Sequence, residues 1–226
     1  MKDRFKKILL NLKQSLITRL HKKEKFTFVA MGDSTVEGIG ASDKTKSFAS
    51  VVYDVLKKEN RNAKFHNLGK SGARIKDIID NQLQEGLDLN PDLVLISVGV
   101  NDLRARTKIA DFERDLKYLL ETITSQAQAR MIINSIPDFS NLPSVPFFVR
   151  FYVRSAVKKF NNVLKKQVQE SDATFVDLHS GASIFTKNYP ELISSDGFHP
   201  SDIGYAFWAA AIISQASELL FKKSGR

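Results

Sequence analysis

Short apolar runs alternate with longer segments of helical periodicity from residue 26 to the end of the chain. The runs that predict strands cover residues 26–31, 63–68, 92–98, 129–135 and 173–178. The segments that predict helices cover residues 47–59, 74–84, 110–125, 148–170 and 201–222. Strands that alternate with helices are typical of a parallel sheet covered on both faces, so we predict a three-layer α/β/α sandwich.

Within the strand predicted at residues 92–98, the run at residues 94–98 has no polar alternation, as expected for a central strand buried on both faces. A flavodoxin-like strand order, 2-1-3-4-5, would bring the carboxyl ends of the first three strands together. Ligands of open α/β sheets bind outside that edge. In this order the hydroxyl of Ser34, after strand 1, lies between Gly69, after strand 2, and Asn101, after strand 3. Gly69 and Asn101 are therefore candidate hydrogen-bond donors beside a serine.

The length of 226 residues suits one domain, and we assign residues 26–226 to it. The chain has no cysteine, which excludes disulfides, thiolate nucleophiles and zinc–thiolate sites. The histidines and carboxylates show no metal-ligand spacing, and we expect neither a metal nor a cofactor.

The net charge of +9 is concentrated at the amino terminus. Residues 1–25 hold nine Lys and Arg against two acidic residues, which leaves the rest of the chain close to neutral. A nucleic-acid groove would need basic residues across the fold, so we expect no nucleic-acid partner.

Residues 1–25 are predicted to form a basic amphipathic helix. Its apolar residues share one face at helical spacing: Phe5, Ile8, Leu9, Leu12, Leu16 and Leu20. One hypothesis packs this face onto the domain or a second subunit, and another places residues 1–22 at a membrane surface. The apolar runs are too short for a secretory signal, and we expect a cytoplasmic protein, peripheral at the membrane under the second hypothesis. The pattern leaves the oligomeric state open.

The loop over residues 137–149 carries three prolines and leads into an aromatic stretch at residues 147–152. A loop of this length in a compact domain is more often functional than idle. One interpretation makes Phe147 and Phe148 walls of a substrate pocket, and the other makes this stretch an anchor for the next helix.

An aspartate stands three residues before a histidine at Asp196 and His199, just ahead of the last predicted helix. The carboxylate can accept from one ring nitrogen while the other faces a hydroxyl, which is the arrangement a general base requires. Of the four histidines, only His199 has a close upstream carboxylate in a glycine-containing loop, and we predict structural roles for His66 and His179. Taken singly, these motifs have simpler explanations: Asp33 and Ser34 suit a helix N-cap, and Gly69 suits a tight turn.

Taken together and in order, the motifs resemble the four sequence blocks of the SGNH (GDSL-like) hydrolases. The matching residues are Gly32-Asp33-Ser34, Gly69, Gly99-x-Asn101-Asp102 and Asp196-x-x-His199. The resemblance implies that Ser34 is the nucleophile, His199 its base and Asp196 the orienting acid. It also implies an oxyanion hole made by Ser34, Gly69 and Asn101. Thr35 stands where many members have leucine, a departure that we expect to matter little.

The resemblance implies a serine esterase or acylhydrolase that acts through an acyl-serine intermediate on a small-molecule ester. Carboxylic esters with small or medium acyl chains, lysophospholipids, thioesters and acetylated sugars are all open as substrates. A flavodoxin-like protein that binds phosphate or flavin at residues 33–42 is the alternative. A receiver-type domain would need a fuller acidic cluster than Asp33 and Asp102.

Overall fold

The computed structural model describes residues 25–180 and 189–221. Five parallel strands form one sheet in the order β2-β1-β3-β4-β5. The strands are β1 (Phe26–Gly32), β2 (Ala63–Asn67), β3 (Leu93–Ser97), β4 (Arg130–Asn134) and β5 (Thr174–Val176). The predicted fold class and strand order are confirmed, and each strand lies within the run that predicted it or extends one residue beyond.

The helices cover both faces of the sheet. Along the chain they are α1 (Ser34–Glu37), α2 (Phe48–Glu59), α3 (Ile75–Ile78), α4 (Gln84–Asp88), α5 (Val100–Arg104), α6 (Ile109–Ala127), α7 (Arg150–Gln169), α8 (Asp202–Gln215) and α9 (Ser217–Phe221). Helices α2 and α8 pack together over one face, where Phe48, Val52 and Tyr205 are fully buried. Helices α3 to α7 cover the other face, where Phe112 and Leu116 are fully buried. All five residues of β3 are buried between these layers.

Two predicted helices differ from the observed ones. The helix predicted at residues 74–84 runs on to Asp88, and α3 and α4 are separated by one π-helical segment, Ile79–Leu83. The single helix predicted at residues 201–222 is observed as two helices, α8 and α9, because the backbone of Ala216 between them is not α-helical. Apolar periodicity detects which face is buried but does not detect a single inserted residue or a break between two helical turns.

The predicted arm, residues 1–25, lies outside the described residues except for Lys25, so its helix and both hypotheses for its apolar face stay predictions. None of the helices within residues 25–180 and 189–221 combines the length and apolar character needed to cross a bilayer.

Candidate active site

Ser34 is the first residue of α1 and follows β1 after a single intervening residue. That residue, Asp33, caps the helix, because its carboxylate accepts from the Thr35 amide at 2.9 Å. The Thr35 hydroxyl donates to the same oxygen at 2.8 Å, which leucine could not do. Burial raises the pKa of Asp33, against the lowering effect of the Thr35 hydrogen bonds and of the charge of His199. The capping interpretation is therefore correct for Asp33, and Thr35 holds the residue next to the serine.

A buried glutamine fixes the backbone just ahead of the serine. Gln82 belongs to the π-helical segment, and its side chain accepts from the Gly32 amide at 2.8 Å and donates to the Gly32 carbonyl at 2.9 Å. π-Helical insertions occur often at functional sites, because they redirect one side chain of a helix. Here the side-chain amide of Gln82 forms hydrogen bonds with both the N–H and the carbonyl of Gly32, the last residue of β1. No sequence signal marked Gln82, since its role depends on the insertion.

His199 joins Ser34 across 165 residues of sequence. Its Nε2 lies 2.9 Å from Ser34 Oγ, and its Nδ1 lies 2.6 Å from Asp196 Oδ2. A carboxylate can only accept, so Nδ1 carries the ring hydrogen and Nε2 is left to accept from the serine hydroxyl. The structure thus brings the three predicted catalytic residues into one hydrogen-bonded chain in the order Ser34, His199, Asp196.

The carboxylate of Asp196 is held by its own loop. Its Oδ1 accepts from the amides of Phe198 and His199, at 2.8 and 2.9 Å, and from the Ser194 hydroxyl at 2.8 Å. Partial burial acts to raise the pKa of Asp196, but the hydrogen bonds from His199, Phe198 and Ser194 outweigh it and hold the pKa well below its usual value. Asp196 is therefore ionised throughout the neutral and mildly acidic range.

Gly40 lets the histidine loop approach the serine. Its φ of +92° favours glycine, and a Cβ atom at this position would lie 2.7 Å from Cβ of His199 and 2.6 Å from the Pro200 carbonyl oxygen. Any side chain would push the histidine away from α1. Gly40 was not predicted, because a glycine eight residues after β1, close to Gly38, indicates only a turn.

Gly69, predicted as a member of the oxyanion hole, has an acceptor for its amide within its own loop. The Gly69 amide donates to Asn67 Oδ1 at 2.9 Å, and a Cβ at position 69 would lie 2.5 Å from the Glu37 amide nitrogen. Gly69 therefore allows the loop that follows β2 to pack closely on α1, and the Gly69 amide already has an acceptor. In the described part of the chain the Gly72 amide has none, and Gly72 has the positive φ of +81°.

Asn101 lies on α5, beside the loop that carries Gly72. Its Nδ2 donates one hydrogen to the Ala73 carbonyl at 3.1 Å, which leaves the second hydrogen of the amide for a ligand. Asn101 also lines the pocket into which Ser34 opens. The predicted neighbourhood of Asn101 and Ser34 is thus present in the structure.

Asp102 follows Asn101 and is fully buried. Its Oδ2 accepts from the Ile75 amide at 3.0 Å, while Oδ1 has no partner among the described residues. Burial raises the pKa of Asp102 to about 6, and the hydrogen bond from Ile75 opposes that rise. Asp102 thereby ties α5 to the start of α3, the two elements that flank Ala73.

The pocket beside Ser34 has a volume of about 310 Å³, at the lower end of the range for small-molecule sites. Its walls are mostly apolar and include Phe139, Leu142, Leu192, Ile193, Phe198, Phe207 and Trp208. Phe147 and Phe148, predicted as pocket walls, are not part of it and are 81% and 74% exposed. The first half of the predicted loop turns inward and the second half turns outward, a difference that apolar composition does not encode.

The described residues were also compared with two other kinds of site, a metal site and a phosphate-binding loop. No group of three or more potential metal ligands occurs within residues 25–180 and 189–221. In the region proposed as a phosphate loop, the amide and hydroxyl of Ser42 both donate to the carboxylate of Asp202, at 2.7 Å each. A carboxylate there would repel a phosphate.

The fold and the site together define a class, that of hydrolases in which a serine, a histidine and an aspartate lie at the carboxyl edge of an α/β/α sandwich. A sequence model of the GDSL-like lipase/acylhydrolase family matches residues 30–207. The chain belongs to that family and is a hydrolase of ester bonds.

The relatives described next share less than a quarter of their aligned residues with this chain. The chain is 23% identical to an acetylxylan esterase of Geobacillus stearothermophilus over 158 residues, which is 66% of this chain and 70% of that protein. It is 23% identical over 215 residues to the uncharacterized protein YpmR of Bacillus subtilis (strain 168), covering 84% and 81% of the two chains. The solved structure of an acetyl xylan esterase variant from G. stearothermophilus superposes with a TM-score of 0.69 at 18% identity, covering 89% of this chain and 97% of that one. At this identity the structural likeness shows the fold.

Proposed function

We propose that this protein hydrolyses carboxylic esters of small to medium acyl chains through an acyl-Ser34 intermediate. The observation that carries the proposal is the unbroken chain from Ser34 Oγ through His199 to Asp196, which opens into an apolar pocket. A serine hydroxyl is a weak nucleophile at neutral pH and needs an adjacent base, which His199 provides in the required tautomer.

In the first half-reaction, Ser34 Oγ bonds to the ester carbonyl carbon while His199 Nε2 takes the hydroxyl proton. The electron pair of the carbonyl bond moves to oxygen, and its return expels the alcohol oxygen, which receives the proton from Nε2. Water then attacks the acyl-serine with His199 again as the base, and the acid and free Ser34 are released. Asp196 stays ionised and stabilises the imidazolium that forms twice in this cycle.

Three donors are proposed for the negatively charged oxygen: the amides of Ser34 and Gly72 and the side chain of Asn101. The Ser34 amide opens α1 and has no acceptor within its helix. Gly72 and Asn101 are joined through the Ala73 carbonyl, and both have an unused hydrogen among the described contacts. Each such donor contributes on the order of 10²–10³ to kcat.

The apolar walls of the pocket support an acyl group rather than a sugar as the buried part of the substrate. Phe139, Leu142 and Trp208 contribute no charge, and each buried methylene adds up to about 0.8 kcal/mol of binding. The acetylxylan esterases named above act on an acetylated sugar, which would have to place its polar ring outside this pocket. We therefore expect butyrate to octanoate esters to exceed acetate in kcat/KM.

The experiment is a series of p-nitrophenyl esters from acetate to octanoate with wild type and Ser34→Ala. Wild type should hydrolyse the esters, label once at Ser34 with a serine-directed phosphonate, and prefer the longer chains. Ser34→Ala should lose both activity and labelling with an unchanged melting temperature. Activity of Ser34→Ala within tenfold of wild type would refute the acyl-serine mechanism, and a flat chain-length profile would refute the acyl pocket. Phe139→Ala, which enlarges the pocket, should shift the preference towards longer chains.

A further inference from the structure

A cluster of exposed aromatic side chains occurs where the loop after β4 enters α7. The aromatic surface consists of Phe147, Phe148, Phe151 and Tyr152, whose exposed fractions are 81%, 74%, 85% and 62%. A buried aromatic side chain hides roughly 150–250 Å², so these four leave on the order of 500 Å² of apolar surface in water. This is near the upper end of the largest apolar patch on a typical monomer, about 300–600 Å², and patches of that size are often functional.

The helix that continues from the aromatic surface is strongly basic. α7 contains Arg150, Arg154, Lys158, Lys159, Lys165 and Lys166, and it contains no acidic residue. Lys158 and Lys159 are exposed and lie about two turns beyond Phe151 and Tyr152. Lys166 is paired with Glu113 at 2.6 Å and Arg154 with Asp138 at 3.3 Å. Among the described residues the basic side chains of α7 without an ion pair are Arg150, Lys158, Lys159 and Lys165, and three of these lie in the half of α7 next to the aromatic surface.

The aromatic surface lies at the rim of the active site. Arg154, one turn beyond Arg150, contacts Asp138 at 3.3 Å, and Asp138 lines the pocket beside Ser34. Arg150 itself lines a second cavity, of about 370 Å³, together with Ser194 and Gly197 of the loop that carries the catalytic aspartate. Two arginines that neighbour the aromatic residues in sequence thus reach the active-site region, Arg154 at the pocket wall and Arg150 at the loop of the catalytic aspartate.

We propose that the aromatic surface and the basic half of α7 bind the enzyme to a lipid bilayer with anionic headgroups. Aromatic rings enter the boundary between headgroups and acyl chains, while Lys and Arg are attracted to the negative surface. The positive charge of α7 argues against two other binding partners for the aromatic surface, residues 1–25 of the same chain and a second copy of the protein. The predicted arm, with nine basic and two acidic residues, would be repelled by α7, and a symmetric dimer through this surface would place two α7 helices of like charge together.

The test is co-sedimentation of the full chain with vesicles of phosphatidylcholine alone and of phosphatidylcholine mixed with phosphatidylglycerol. Wild type should bind the anionic vesicles, and raising the salt concentration should weaken binding. Phe148→Ser with Phe151→Ser should weaken it by about tenfold or more, because two aromatic rings no longer leave water. Tyr118→Ser is the matched control, since Tyr118 is an exposed aromatic, at 54%, on α6 outside the aromatic surface.

Lys158→Glu with Lys159→Glu should abolish the preference for anionic over neutral vesicles. All variants should hydrolyse a soluble ester at the wild-type rate, which shows that they fold. The proposal is overturned if wild type does not bind anionic vesicles, or if the double serine variant binds as wild type does, which would assign binding to residues 1–22. It is also overturned if light scattering shows a wild-type dimer that the double serine variant converts to a monomer.

Discussion

Replacing Asp196 by asparagine would test whether the carboxylate sets the tautomer of His199. Oδ1 of Asp196 accepts from Ser194, Phe198 and the His199 amide, whereas the one donor to Oδ2 in the described part of the chain is the His199 ring. Asparagine has one acceptor oxygen and one NH₂ group, so it can replace only one of these two oxygens.

The orientation of the new side chain is determined by the loop. If the NH₂ group replaced Oδ1, it would face the amides of Phe198 and His199, and those two hydrogen bonds of about 1 kcal/mol each would be lost, whereas the Ser194 hydroxyl could turn to accept. The carbonyl oxygen therefore takes the Oδ1 position, and the NH₂ group points at His199 Nδ1. Nδ1 must then accept, the ring hydrogen moves to Nε2, and His199 can no longer take the proton of Ser34.

We expect Asp196→Asn to lower kcat for ester hydrolysis by about 10⁴, the scale known for the same change in a serine protease triad. Its melting temperature should stay within a few degrees of wild type, because the three loop hydrogen bonds remain. Asp196→Ala should lose both activity and several degrees of melting temperature. A kcat of Asp196→Asn within tenfold of wild type would show that His199 is not the base in this tautomer.

Three further predictions concern the residues around the triad. Asn101→Ala should lower kcat by about 10²–10³ with little change in KM, and an unchanged kcat would remove Asn101 from the oxyanion hole. Gln82→Leu leaves the buried amide of Gly32 without its side-chain acceptor, while the Gly32 carbonyl keeps the Lys70 amide as a donor. Urea unfolding should therefore show a loss of about 1–3 kcal/mol, and kcat should fall. Asp102 has a pKa of about 6 in the folded protein, compared with 3.8 for an ordinary aspartate, so the folded state binds the proton of Asp102 more tightly than the unfolded state does. The free energy of unfolding therefore falls as pH rises from about 4 to 6, because the buried carboxyl group loses its proton. Relative to Asp102→Asn, the free energy of unfolding of wild type should fall by about 2 kcal/mol between pH 4.5 and 7.5. Unfolding free energies of the two proteins that change in parallel with pH would refute the raised pKa of Asp102.

The strands were predictable because a parallel sheet buried on both faces demands continuous apolar runs, and few other structures do. β3 is the clearest case, since residues 93–97 are all buried. The pairing of Asp196 with His199 was predictable for a different reason, because the two are three residues apart, whereas their approach to Ser34 was implied by the family resemblance and not by the strand order. The predicted ends of helices were less accurate where the helix is irregular, as in the segment Ile79–Leu83.

The proposed oxyanion donor Gly72 shows a limit of prediction from residue patterns. Gly69 and Gly72 lie in the same loop and are equally compatible with a tight turn. Which amide is free depends on the Asn67 side chain, which accepts from Gly69, and on the direction of each peptide. Neither property has a signature in residue type, so only the three-dimensional structure distinguishes the two glycines.

The misassigned aromatic residues follow from a related limit, and they connect the site to its surroundings. The loop after β4 begins at the carboxyl edge of the sheet, so all of its apolar residues are candidates for the pocket. Phe139 and Leu142 enter the pocket, and the 3-10 turn at Phe147–Val149 then directs the chain away from it. The chain leaves the pocket at Leu142 and α7 begins at Arg150, and Arg154 of α7 still contacts Asp138 at the pocket wall. The strand order thus determines that the loop after β4 begins at the active-site edge, and the turn at Phe147–Val149 determines which of its aromatic side chains face solvent.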